Sequence, residues 1–369
     1  LSRKTAAVKN AAENFLMNAN APTKPNPWLH WFAVLTAVVT FLLIGLGGLV
    51  TSHEAGMSVP DWPTSYGYNM FALPVKFWKG GAFFEHTHRL LASAVGFLTT
   101  ILAVWLWLKD SRKWMKWLGV AAFFGVVAQG ILGGLRVTMK MDSLGIFHGA
   151  VAQTFFVLIC AIALFTSRAW HELAAKKIIS VPRGLRSHVL FVTILIFIQL
   201  LIGATMRHQH AGLAISDFPL AHGKIWPDTS ADAIARYNAE RIETTNVNPI
   251  TAFQVILQMV HRLAAFLILA GVAAAAGLAV KRLGKNDSLT KLAFFWLALI
   301  VLQVALGIAT LWTNKAADVA TAHVMVGALS LVTGALWCLI GFGRSLRTAT
   351  IDVESDVAIP GFGTFAANK

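Results

Sequence analysis

The sequence predicts an all-α integral membrane protein: eight transmembrane helices arranged as two pseudo-symmetric four-helix bundles. Three observations carry this. The 369 residues are 56% hydrophobic and only 13% charged, with a mean hydropathy of +0.64, outside the range of soluble globular domains. The apolar residues are gathered into eight runs of membrane length, since a span takes about 20 residues. The second four runs repeat the first four in order.

The expected spans are Trp31–Thr51, His86–Leu108, Trp114–Arg136, Leu144–Thr166, Ser187–Met206, Ala252–Val280, Lys291–Trp312 and Ala320–Phe342. They divide the chain into a cytoplasmic tail (1–30), an N-terminal half (31–166), a cytoplasmic linker (167–186), a C-terminal half (187–343) and a second tail (344–369). The first tail is polar, with a surface helix expected around Ala11–Met17, and a short external helix is expected over Ala231–Glu243. Lys and Arg cluster in alternate loops, at Lys109–Lys116, Arg168–Arg186 and Lys281–Lys291, and in both tails. These regions hold 20 of the 31 basic residues, which assigns both termini to the cytoplasmic (or matrix) side. The net charge of +14 is thus a topology signal, not a nucleic-acid footprint. Cys160 and Cys338 lie inside apolar runs without a CxxC partner and read as small buried hydrophobes.

The repeat is legible residue by residue. Gly47-Gly48 through Ala55-Gly56 aligns with Gly203-Ala204 through Ala211-Gly212 at an offset of 156, which continues from Ser58-Val59-Pro60-Asp61-Trp62-Pro63 to Ala214-Ile215-Ser216-Asp217-Phe218-Pro219. His88-Arg89-Leu90 then meets His261-Arg262-Leu263, Gln129 and Gly133 meet Gln303 and Gly307, and His148 meets His323. Four spans per unit make these parallel repeats, related by an axis along the membrane normal. Glycines within the spans, among them Gly47, Gly133, Gly203 and Gly307, allow close helix approach and leave room for a flat macrocycle.

One histidine stands at the outer end of each even-numbered span: His88, His148, His261 and His323. A single histidine at a wet membrane boundary is an ordinary polar residue. Two pairs kept in register across a duplication ask for more. Cofactor sites in bundles are built from facing helices, and two imidazoles on opposite faces of a porphyrin are an axial pair for haem iron. The pairs are then His88/His148 and His261/His323. Zinc is the rival use of imidazole, but it takes three or four protein ligands. Arg89 and Arg262 follow the first histidine of each pair and are candidates for haem propionates, with snorkelling to headgroups the alternative. The halves differ in their acids. Glu85, one helical turn before His88, corresponds to Gln258, and Glu54 corresponds to His210. A site that only relays electrons needs no carboxylate; one that reacts can use it for protons or charge. Helix capping is the other reading of Glu85. His208-Gln209-His210 reads as a solvated loop.

Gly47-Gly48-Leu49-Val50-Thr51, Ala55-Gly56, Pro60-Asp61-Trp62-Pro63, Glu85 with His88-Arg89, Phe147-His148-Gly149, His261-Arg262 and Ala322-His323 together resemble the haem A synthase family of bacteria and mitochondria, over about residues 30–343. The resemblance implies an eight-helix oxidoreductase of the bacterial cell membrane or mitochondrial inner membrane that converts the C8 methyl of haem O to a formyl group. It implies haem b, as electron-transfer cofactor, at His261 and His323, with substrate haem O at His88 and His148. It gives the acid matching Glu85 a role in turnover; Glu54, the other carboxylate at the outer end of the first half, is the next catalytic candidate from the residues themselves. A haem O synthase, cytochrome oxidase assembly factors and an electron donor are the implied partners, beside membrane lipid. Some family members carry a cysteine pair in the first external loop; Ser52–Glu85 has none. The rival classes are a di-haem b-type electron-transfer protein, such as a quinol oxidoreductase, and a parallel-repeat transporter.

Overall fold

The computed structural model describes residues 25–175, 180–240 and 249–357. The surface helix expected around Ala11–Met17 and the last residues of the expected external helix lie outside them. Eight helices are long and apolar enough to cross a membrane: α1 (Pro27–Ser52), α2 (Gly80–Lys109), α3 (Lys113–Thr138), α4 (Leu144–Thr166), α6 (Arg183–His208), α8 (Ala252–Leu283), α9 (Ser288–Trp312) and α10 (Ala317–Val357, spanning to Ser345). Two short helices complete the set: α5 (Arg168–Ala175), in what the sequence suggested was a plain linker, and α7 (Ala231–Glu240) outside the spans. No β-strand occurs among the described residues.

Local chemistry sets where the helices begin. Asn26 accepts from the Trp28 and Leu29 N–H groups ahead of Pro27 at the first helical position, a pairing of side-chain cap and proline that suits a helix start. Thr251 and Gln254 form a capping box on α8, and Asp287 caps α9. Gly284, at φ +88°, ends α8. Most helix ends lie within four residues of expectation, and two differ by more. α2 starts at Gly80, six residues early, because Gly80 to Glu85 extends the helix outward into less apolar sequence. α10 runs past Phe342, so the expected C-terminal tail begins as helix.

Each set of four spans closes into a ring. α1 packs on α2, α2 on α3, α3 on α4 and α4 on α1; α6, α8, α9 and α10 do the same. The rings meet through α1–α10, α4–α10 and α4–α6 contacts. Leu102, Leu106, Met115, Phe155, Ile159 and Ile162 fill the first ring. Val189, Val192, Ile268, Val272, Trp296 and Trp337 fill the second. Phe156, Ala328 and Val332 lie between them. With no water to take up polar groups, both buried indoles find carbonyls: Trp296 Nε1 donates to Ser330 O at 2.8 Å and Trp337 Nε1 to Leu289 O at 2.9 Å. Outward faces carry Trp28, Trp31, Leu35, Phe97, Phe191 and Leu267, all well exposed, as lipid contact requires.

Candidate functional site

Each of the four histidines lies against a glycine of a neighbouring helix. A Cβ on Gly47 of α1 would sit 3.2 Å from His88 Nε2; on Gly133 of α3, 3.4 Å from His148 Cε1; on Gly203 of α6, 3.3 Å from His261 Cε1; and on Gly307 of α9, 3.2 Å from His323 Cε1. These glycines therefore give their space to the imidazole edges. Glutamines hold the same helices in place: Gln129 Nε2 donates to His148 O at 3.1 Å, Gln199 Nε2 to His261 O at 2.8 Å, and His323 Nδ1 lies 3.1 Å from Gln303 O. Nδ1 of His148 and of His261 is buried without a hydrogen-bond partner.

The second pair can be measured against a shared iron. A metal–imidazole bond is about 2.0–2.1 Å, and a ring of ~1.33 Å bonds places its centroid about 1.1 Å from each atom, so two imidazoles on one metal stand roughly 6.3 Å apart by centroid. His261 and His323 stand 6.4 Å apart, tilted by 59°. By that separation His261 and His323 are the residues that would hold a haem iron, and the iron would supply one-electron transfer there.

Above each pair the external loop is latched by one construction used twice. Glu85 Oε2 accepts from Val59 N–H at 2.9 Å; Gln258 Oε1 accepts from Ile215 N–H at 2.7 Å. Arg89 donates to the carbonyls of Val59, Asp61 and Thr64 at 3.0, 2.7 and 3.0 Å. Arg262 donates to those of Ile215, Asp217 and Leu220 at 3.2, 2.8 and 3.0 Å. Every partner matches at the offset of 156. Asp61 and Asp217 in turn accept the N–H groups of Tyr66 and Gly67, and of His222 and Gly223. Burial alone would raise these two carboxyls, but the hydrogen bonds outweigh it and hold both below the ordinary carboxylate range. Tyr66, Gly67, His222 and Gly223 all lie at positive φ, so the turns share one backbone shape.

The latch revises two readings. Arg89 also donates to Glu85 Oε1 at 2.7 Å, and with three carbonyls taken, its four terminal N–H groups are committed. Arg89 thus binds the loop, where the sequence suggested a haem propionate. Arg262 keeps one terminal N–H beyond its three carbonyls. Glu85 is neither exposed nor a cap: the N-cap of α2 is Lys79, and Glu85 is 4% exposed, inside the loop–helix contact. Glu54 is exposed, on the turn after α1 at φ +52°, and His210 occupies the equivalent turn at φ +51°. The structure therefore brings Glu85, and not Glu54, into the buried contact beside the His88 helix.

Sequence reasoning missed a polar belt joining the halves. Asp142, before α4, accepts from Arg136 at 2.7 Å and lies 2.9 Å from His208 Nδ1 of α6. Burial alone would raise the Asp142 carboxyl, but bonds and charge from His208 and Arg136 hold it below its usual range. His208 is no solvated loop residue: its side chain is 9% exposed and packs on Gly145. Arg207 beside it donates to Gly48 O and to Ser52 Oγ of α1.

Fold and contacts together define a multi-span membrane protein whose two long external loops are latched to their helices by the same construction. Residues 30–335 match the COX15-CtaA family of cytochrome oxidase assembly proteins. The heme A synthase of Lysinibacillus sphaericus is 28% identical over 322 residues, covering 85% of this chain and 95% of the relative. That of Rhizorhabdus wittichii is 27% identical over 369 residues, covering 90% and 99%; that of Geobacillus kaustophilus is 27% identical over 332, covering 88% and 94%. The chain belongs to the haem A synthase family.

Proposed function

We propose that this chain is an oxidoreductase that oxidises the C8 methyl of haem O to the formyl of haem A, by successive hydroxylation, in the N-terminal half. His88 and His148 take the substrate haem, and His261 and His323 hold haem b. When bound, haem b supplies one-electron transfer. With dioxygen as the oxygen source, two successive hydroxylations and loss of water take the methyl to the formyl while consuming four electrons and four protons and releasing three waters, so the reacting half needs a route for protons that the relaying half does not.

The single observation that carries this reading is the Glu85/Gln258 difference on an otherwise matched latch. Gln258 performs the loop-holding task with an amide, so holding the loop does not require a charge. Glu85 brings a carboxylate to the same place in the other half. It is assigned the proton-handling or charge-stabilising role, with Arg89 positioning it, while Arg262 positions the loop over the second site. Both termini face the cytoplasm or matrix, which puts the sites at the outer side. A haem O synthase upstream, cytochrome oxidase assembly factors downstream and a separate electron donor are the partners this chemistry calls for.

The test is extraction and chromatography of the haems bound to purified protein, expressed with and without a haem O source. Haem b in both preparations, with haem A only where haem O is supplied, supports the reading. Haem b alone in both, with two equivalents per chain, would make the protein a di-haem electron carrier instead.

A further inference from the structure

A haem carries two carboxylates, and Arg89 has no terminal N–H left for either. Another cation on the outer side of the first half is Arg136, in the last turn of α3. Arg136 follows Gly133, the glycine that lies against the His148 ring, by one helical turn on the same helix. Its guanidinium lies over Gly56, where a Cβ would meet Nη1 and Nη2 at 2.8 Å. One terminal nitrogen is held by Asp142 at 2.7 Å, and its Nε is buried without a partner. The side chain is only 15% exposed. An unpaired N–H on a buried cation is unfavourable, and a ligand carboxylate would complete it bidentately. The counterpart in the other half is Thr310, so this charge belongs to the first site alone.

Resting on the haem assignment above, we infer that Arg136, oriented by Asp142 and seated on Gly56, is the residue that binds a propionate of the haem in the His88/His148 site. Arg89 instead holds the roof. Because Asp142 is shared with His208, the arginine is aimed by a contact from the opposite half.

The experiment titrates haem O, and separately its dimethyl ester, into purified protein retaining haem b, following the absorbance of the first site. The ester removes both carboxylates but leaves the ring and iron unchanged. Arg136→Gln is expected to weaken haem O by about 10–100-fold, the range of a charge-assisted bidentate contact, and to leave ester binding within about twofold of wild type. Arg136→Lys should recover part of the loss. Unchanged haem O affinity in Arg136→Gln overturns the inference, and so does an equal loss for haem O and ester, which would make Arg136 a structural residue. An intact haem b spectrum checks folding. His88→Ala separates the two levels: if it abolishes haem O binding while Arg136→Gln does nothing, only the arginine assignment fails. If His88→Ala and His148→Ala titrate like wild type, the substrate-site reading fails, and this inference with it.

Discussion

Replacing Glu85 by Gln makes the first half resemble the second at one atom, and the structure says what that costs. Glu85 holds two partners: Val59 N–H at 2.9 Å and Arg89 at 2.7 Å. The first survives, because Gln258 holds the equivalent N–H of Ile215 at 2.7 Å through an amide oxygen. The second loses its charge. A hydrogen bond to a charged group is worth about 1.5–3 kcal/mol. Breaking a buried pair outright costs about 3–5 kcal/mol because it strands a charge, but Arg89 keeps the Val59, Asp61 and Thr64 carbonyls. The lower range applies, and the variant should fold, retain haem b and bind haem O within a few-fold of wild type. Conversion is another matter. General acid–base contributions run about 10²–10⁴-fold, so haem A should fall at least a hundredfold in a haem extract, with a hydroxylated intermediate accumulating. Gln258→Glu should leave turnover nearly intact. Haem A formed by Glu85→Gln at a rate within a few-fold of wild type would reduce Glu85 to a loop latch and refute its chemical role.

Other outcomes follow from the same contacts. Gly203→Ala and Gly307→Ala place a methyl 3.3 and 3.2 Å from the His261 and His323 rings; overpacking costs about 1–3 kcal/mol, and the haem b absorbance should shift while the first-site spectrum holds. An unshifted spectrum would mean that these glycines do not set the imidazoles. Asp142 has its carboxyl held below the usual range by His208 and Arg136, so its contribution is complete above the unfolded value of about 3.9 and lost as pH falls through the lower folded value. Thermal unfolding in detergent should show the wild-type advantage over Asp142→Asn shrinking as pH falls below about 4; an advantage that persists unchanged there would mean that the Asp142 charge does not hold the Arg136 and His208 contacts. Reporter fusions after Lys109, Arg183 and Lys285 should lie on the cytoplasmic side and those near Lys76 and Ala233 outside; one reversed site breaks the shared outer placement of the histidines.

The helices were legible because length and hydropathy decide spans almost alone. The four histidines stood out because duplication printed them twice. What stayed hidden has physical reasons. The partners of Arg89 and Arg262 are backbone carbonyls 25 to 47 residues away, and a carbonyl leaves no mark in sequence. Arg136, Asp142 and His208 have no matching triad in the repeat, and Asp142 lies 66 residues from His208. At the end of a span such charges look like topology signals, so His208 read as loop and Arg136 as one more outer cation. The α2 start lay earlier than expected for a related reason: two glycines and Glu85 dilute the apolar signal from Gly80 to Glu85, and the Val59 N–H that Glu85 holds leaves no mark in sequence.

The central claim is that two histidine pairs hold two haems with different fates. The most direct measurement is the haem content, by extraction and chromatography, of four variants purified after expression with a haem O source: His88→Ala, His148→Ala, His261→Ala and His323→Ala. The predicted result is a split by half. The first two keep haem b and lose haem O and haem A, while the last two lose haem b and still insert in the membrane. Loss of haem b from His88→Ala or His148→Ala to the same extent as from His261→Ala, in protein that remains folded, would contradict the division of labour between the halves.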